Sequence, residues 1–208
     1  MKTSVAVISV LVLLLSPGAA QTSAPQRKKP PAGTTLCGPP TSESLKCPRF
    51  GFIYRIPFGW VDRTSDMGEQ PDAQHSNSAQ SETLLAIFER PPAAPGETIN
   101  SAVVFAAEPL ANYRGVKQAS DYFGPITELA EQRGFKAEGE PYAVTIGARQ
   151  LVRGDFAKPR GNLTMYQSSL AFIEKGYIVS FTFLAGSEDE TDELIARLTF
   201  AARATGHK

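Results

Sequence analysis

Histidine is almost missing from this chain: among 208 residues only His75 and His207 occur, one in a polar stretch and one beside the last residue. Imidazole is the usual proton carrier and nucleophile activator near neutral pH, so its scarcity leaves little material for a catalytic dyad or triad. Neither histidine has a partner four residues away, and no G-x-S-x-G turn or C-x-x-C pair is present. That removes the nucleophile elbow and the dithiol motif as readings. Neither predicted helix opens on a glycine-rich phosphate loop. Charge of one sign is also lacking: Lys+Arg and Asp+Glu both count 21, for a formal net charge of +0. No global field draws such a chain onto nucleic acid or an anionic surface. No catalytic residues, cofactor or metal site are expected, and nucleic acid is not an expected partner.

What is present begins with an apolar run, residues 5–15, broken only by Ser9. It falls short of the roughly 20 residues of a spanning helix. Lys2 precedes it, Ser16 and Pro17 end it, and Gly18-Ala19-Ala20 sets small residues before Gln21. This is the layout of a secretory signal peptide over residues 1–20, with a retained N-terminal anchor as the alternative. Residues 21–36, rich in Pro, Thr, Ser and Lys, read as a disordered linker. The two cysteines of an exported chain, Cys37 and Cys47, read as a disulfide closing a short polar loop. One domain over residues 37–204 is expected, secreted or periplasmic, with no stable membrane span once the leader is cleaved.

Within that domain Phe50, Phe52, Tyr54 and Ile56 recur at a period of two, predicting a strand that Pro57 ends. Residues 61–63 resume it briefly, and residues 64–81 read as a long surface loop. Strands are expected at 83–90 and 99–107, the latter buried on both faces at Val103-Val104-Phe105. Apolar spacing from Val116 to Ala130 predicts a helix over 117–133, with Pro125 marking a kink or a new start and Gly134 a stop. Four strands follow at 142–146, 149–157, 163–174 and 177–184, the last two joined by Lys175-Gly176. Ser187 and Glu190 form a capping box, Ser187 accepting from the Glu190 backbone while the Glu190 carboxylate reaches back, ahead of a helix carrying Leu194, Ile195 and Leu198 inward. Strands followed by a helix, then strands and a second helix, predict an α+β antiparallel sheet flanked by helices.

The acidic run from Glu188 to Glu193 lacks the spacing of a calcium loop and suits the positive end of a helix. Arg153-Gly154-Asp155 spells an adhesion tripeptide but falls inside a predicted strand. Arg153 and Asp155, two apart, share a sheet face; Arg149 joins them, for a small charged patch on a solvent-facing side. Asn162-Leu163-Thr164 has the form of a glycosylation acceptor. Most aromatic residues follow strand or helix periodicity and belong to a core. Phe58 and Trp60, beside the turn that ends the first strand, are the exceptions: Trp60 is either a plug folded under the sheet or an exposed contact for a ligand or partner.

The segment YRIPFGW (residues 54–60) resembles the strand-then-P-x-G-W entry of PsbP-like domains, the fold shared by the photosystem II extrinsic protein and a Ran-binding nuclear import factor. GYIVSFTF, the acidic capped helix and LTF (residues 198–200) are similar to the end of such domains. The likeness covers about residues 50–200. It implies an α/β/α sandwich and membership among accessory or partner-binding proteins, and carries over no catalytic residue. The disulfide loop and the 64–81 segment depart from the pattern. The resulting expectation is an exported, non-enzymatic binding or accessory protein with a protein or small-molecule partner. Its candidate contact residues are Phe58, Trp60, Arg149, Arg153 and Asp155. The alternative is a small-ligand carrier or cryptic enzyme using a cleft near Trp60.

Overall fold

The computed structural model describes residues 35–67, 81–91 and 98–200. The expected leader, all but the end of the linker, the 68–80 part of the expected loop and both histidines lie outside the described residues. Among the described residues no helix is long and apolar enough to cross a membrane.

In chain order the elements are β1 (Ser44–Cys47), β2 (Phe52–Arg55), β3 (Val61–Asp62), α1 (Thr64–Met67), β4 (Glu82–Phe88), β5 (Ala102–Pro109), α2 (Phe123–Gln132), β6 (Lys136–Ala137), β7 (Tyr142–Ile146), β8 (Arg149–Arg160), β9 (Leu163–Glu174), β10 (Tyr177–Ala185), α3 (Glu188–Ile195) and β11 (Leu198–Phe200). An eight-stranded sheet runs β3-β4-β5-β10-β9-β8-β6, with β7 also paired to β8, and a three-stranded sheet runs β1-β2-β11. The pairings within both sheets are antiparallel. The small sheet and α3 pack on one face of the large sheet and α2 on the other. This is the α+β sandwich expected, with one outer layer made of sheet and helix together.

Strand alternation explains the two faces. On β10, Val179, Phe181, Phe183 and Ala185 turn toward the small sheet, while Ile178, Ser180 and Thr182 turn away. Phe105 of β5 meets Phe181 edge-on at 4.7 Å between ring centroids, and Tyr54 of β2 meets Phe105 at 4.9 Å. Phe52 adds a 5.2 Å edge contact to Phe181. Such pairs contribute about 0.5–1.5 kcal/mol each beyond the burial of their area. The two sheets are therefore clamped by the alternating aromatics of β2. Cys37 and Cys47 are bonded, with Cα atoms 4.5 Å apart. A bridge over so short a loop contributes roughly 2–3 kcal/mol in the chain-entropy picture.

Several expectations are corrected in detail. The segment between the cysteines is not all loop: its end is β1, in register with β2 from Ser44↔Arg55 to Cys47↔Phe52, because Leu45 and Cys47 alternate inward. The strand predicted at 99–107 lies at Ala102–Pro109. The helix predicted at 117–133 is a 3-10 turn, Ala119–Tyr122, followed by α2 from Phe123. Pro125 falls in the first turn of α2, where backbone N–H groups have no helical acceptor to lose. Gly134, at φ +83, ends it. Leu198–Phe200, read only as a helix end, is a strand at the edge of the small sheet. At α3, Ser187 accepts from the Glu190 backbone at 3.1 Å as expected. The Glu190 carboxylate, however, takes the Gly186 N–H at 3.1 Å and the Ser101 hydroxyl, tying α3 to the segment before β5.

Gly154 of β8 sits under the Phe123 ring: a Cβ there would lie 2.8 Å from two ring carbons. Phe123 is the first residue of α2, so the helix rests on a position that excludes a side chain. Gly154→Ala should lower stability by about 1–3 kcal/mol through overpacking, read as a lower urea midpoint at unchanged slope; an unshifted midpoint would contradict this packing.

Two buried tyrosines set the alkaline limit. Burial pushes the Tyr54 hydroxyl well above its ordinary value, with Arg197 pulling slightly back. Burial, then the hydrogen bond to Glu108, pushes Tyr122 higher still. A phenol whose folded value is raised binds its proton more tightly when folded. The stability it confers is full below the unfolded tyrosine value, about 10, and falls as pH rises above it. Urea midpoints should be level from pH 8 to 9 in this respect and drop above about pH 10, with phenolate absorbance from these two residues appearing only on unfolding. Ordinary titration of every tyrosine in the folded protein would contradict the assignment.

Candidate functional site

β8 and β9 place Asp155 opposite Ser168 and Arg153 opposite Leu170. β7 places Tyr142 opposite Arg153, and α3 lies across the same end of the sheet with Thr191 and Asp192. The side chains form one network. Arg153 Nε donates to both Asp155 oxygens at 2.8 and 3.1 Å. Its terminal nitrogens donate to Asp192 Oδ1 at 2.7 Å and Ser168 Oγ at 3.0 Å. The Ser168 hydroxyl in turn donates to Asp155 at 2.6 Å, and the Tyr142 hydroxyl donates to the other Asp155 oxygen at 2.9 Å. Asp155 is thus saturated, and Arg153 is held between two carboxylates by charge-assisted hydrogen bonds from separate nitrogens.

Electrostatics agree with a static lock. Burial alone would lower the Arg153 value, but the hydrogen bonds and charges of Asp155 and Asp192 outweigh it and leave it raised. Burial, then the bond to Asp155, also raises Tyr142. Both shifts move away from neutrality, which suits a fixed donor framework better than proton transfer. The pocket over this network has a volume of about 270 Å³ and is rimmed by Tyr142, Tyr166, Glu138 and Glu188. Its lining carries four carboxylates (Glu138, Asp155, Glu188, Asp192) against one guanidinium, so three negative charges stand in excess.

The structure divides the residues singled out in the sequence. Arg153 and Asp155 share a face, but it is the face turned to the main core, beyond Leu151 and Leu170, and α3 half-covers it; it is not the solvent-facing side expected. Polar groups are tolerated there because each finds a partner. Arg149 does not join them. Leu151 stands between, and Arg149 bonds Glu174 at 2.7 Å while its guanidinium lies 4.9 Å from the Phe172 ring centre and 5.7 Å from that of Phe200. It covers the edge of the core as a cation over aromatic faces. Phe58 is fully exposed (103%) at the turn made by Gly59 at φ +82, whereas Trp60 is half-buried against the core. Neither lines the pocket at Arg153.

Tyr142, Ser168, Thr191 and Asp192 were not among the candidates. Asp192 reads in the sequence as a helix-dipole carboxylate, and only the crossing of α3 over β8 and β9 turns it toward Arg153. Among the described residues no group of three or more His, Cys, Asp or Glu side chains could hold a metal ion.

No family model matches the chain, and no curated protein matches it. Solved structures are similar in fold. Cyanobacterial PsbP from Synechocystis sp. PCC 6803 is 14% identical over 74% of this chain and 88% of its own, with a TM-score of 0.43. The Ran-binding protein Mog1p of Saccharomyces cerevisiae is 14% identical over 74% of this chain and 81% of its own, at 0.40. A protein of unknown function from Pseudomonas aeruginosa is 19% identical over 66% of this chain and 91% of its own, at 0.38. The first two belong to the proteins whose shared fold the YRIPFGW resemblance named, and the likeness of this chain to the PsbP-like domain is one of fold.

Proposed function

We propose that the protein is an exported, non-enzymatic binding module that grips a basic side chain of a partner protein in the pocket over Arg153. The observation that carries this reading is the excess of three negative charges around a framework whose own arginine is already satisfied by Asp155 and Asp192. Glu138, Glu188 and the second oxygen of Asp192, whose side chain is 60% exposed, are left to face an incoming cation. A volume of about 270 Å³ lies just below the roughly 300 Å³ lower end of ordinary ligand pockets and suits one side chain rather than a large cofactor. Tyr142 and Tyr166 offer aromatic walls to such a group. Export is supported by the leader-like first twenty residues and by the Cys37–Cys47 bridge, since disulfides persist in oxidising compartments.

The test is a titration with N-acetyl-arginine amide and N-acetyl-lysine amide, with N-acetyl-glutamate amide as the control, followed by NMR. The cationic amides should shift the Tyr142, Glu188 and Asp192 resonances. The double variant Asp192→Asn with Glu188→Gln should weaken binding about fivefold, as loss of two partly exposed charge contacts implies. Equal binding of the glutamate amide, or shifts centred on Trp60, would overturn the proposal.

A further inference from the structure

On the opposite face of the large sheet, under α2, a second cavity of about 280 Å³ lies between Tyr122 and Arg133. Its floor is built from small side chains: Ala106 of β5 stands opposite Ser180 of β10, and Val104 opposite Thr182. The same strands fill the other face with Phe105, Phe181 and Phe183, so the space exists because the residues between those aromatics are small.

At one end stands Glu108. The hydroxyls of Tyr113 and Tyr122 each donate to a different oxygen of its carboxylate, and the two rings meet edge-on at 5.1 Å between centroids. Among the described residues no cation lies within ion-pair distance of this carboxylate. Arg133, the cation on the rim, follows the far end of α2, roughly 15 Å along the axis at about 1.5 Å per residue. A half-buried carboxylate beside aromatic rings, opening onto a narrow trough edged by Ile126 and Leu129, calls for a positive head on an apolar body.

We propose that this groove is a binding site for a monocationic alkylamine, with the ammonium against Glu108 beside Tyr113 and Tyr122 and the alkyl chain over Ala106 and Ser180. The two tyrosines spend their protons on Glu108 and orient its remaining lone pairs. Tyr122, whose ionisation is pushed far upward by burial and by Glu108, stays a donor throughout the physiological range. The groove opens on the other face of the sheet from the pocket over Arg153, and Gln167 lines both.

Calorimetric titration of the full protein with hexylammonium, hexanoate and 1-hexanol tests it. Hexylammonium should bind, and hexanoate and hexanol should bind at least tenfold more weakly. Glu108→Gln, which keeps an acceptor for a tyrosine and removes the charge, should cost hexylammonium about tenfold. Ala106→Leu, which fills the trough without touching charge, should weaken hexylammonium while leaving methylammonium unchanged, and it decides the matter if Glu108→Gln fails to fold. Equal affinity for hexanoate, no binding of hexylammonium, or no loss in Ala106→Leu would overturn the proposal.

Discussion

The structure depends on one interface, the edge-on aromatic cluster in which Phe52 and Tyr54 of β2 meet Phe105 and Phe181 of the large sheet. With strands of only three or four residues, the small sheet buries its one apolar face only by packing on another layer. It persists here because its inward face is aromatic and the opposing face of β5 and β10 is aromatic too. The Cys37–Cys47 bridge pins the chain entering β1, and β11 completes the other edge. Tyr54 carries the cost of this arrangement: its hydroxyl is buried without a hydrogen-bond partner among the described residues. The ring is kept for its packing despite the desolvation cost of the unpaired hydroxyl.

The same face supplies the framework of the proposed pocket. Moving along β8 from Leu151 to Arg153 and Asp155, the core gives way to an ion-pair network without a change of face. An arginine there would be costly if left unpaired. Asp155, Ser168 and Asp192 satisfy it, and in doing so they connect β8, β9 and α3. Because the network is complete within this chain, the cation of the proposed function would meet a fixed acidic rim and need little reorganisation. Glu190, bonded to Gly186 and Ser101, holds α3 in the position that presents Asp192.

Long alternating strands were legible in the sequence because a period of two carries through β8, β9 and β10. So was the Ser187 cap, whose signal is local. What was not legible depended on pairing between distant segments. β1 is four residues long and β11 three, and each is a strand only because β2 lies beside it. The candidate site follows the same division. Arg153 and Asp155 were found from their spacing, but which face they occupy is set by the neighbours of Leu151. The separation of Arg149 follows from Glu174 and the rings of Phe172 and Phe200, all remote in sequence. Trp60 drew notice as the single tryptophan, and the fold sets it half-buried against the core beside a turn.

The proposed partner contact centres on the acidic pocket between α3 and the β8–β9 hairpin, and not on the Phe58–Trp60 turn. Hydroxyl-radical footprinting of the protein in its native envelope extract, compared with the purified protein, tests this most directly. Tyr142 and Tyr166 should lose reactivity in the extract while Phe58 stays fully reactive. Protection of Phe58 and Trp60 with Tyr142 and Tyr166 unchanged would contradict it.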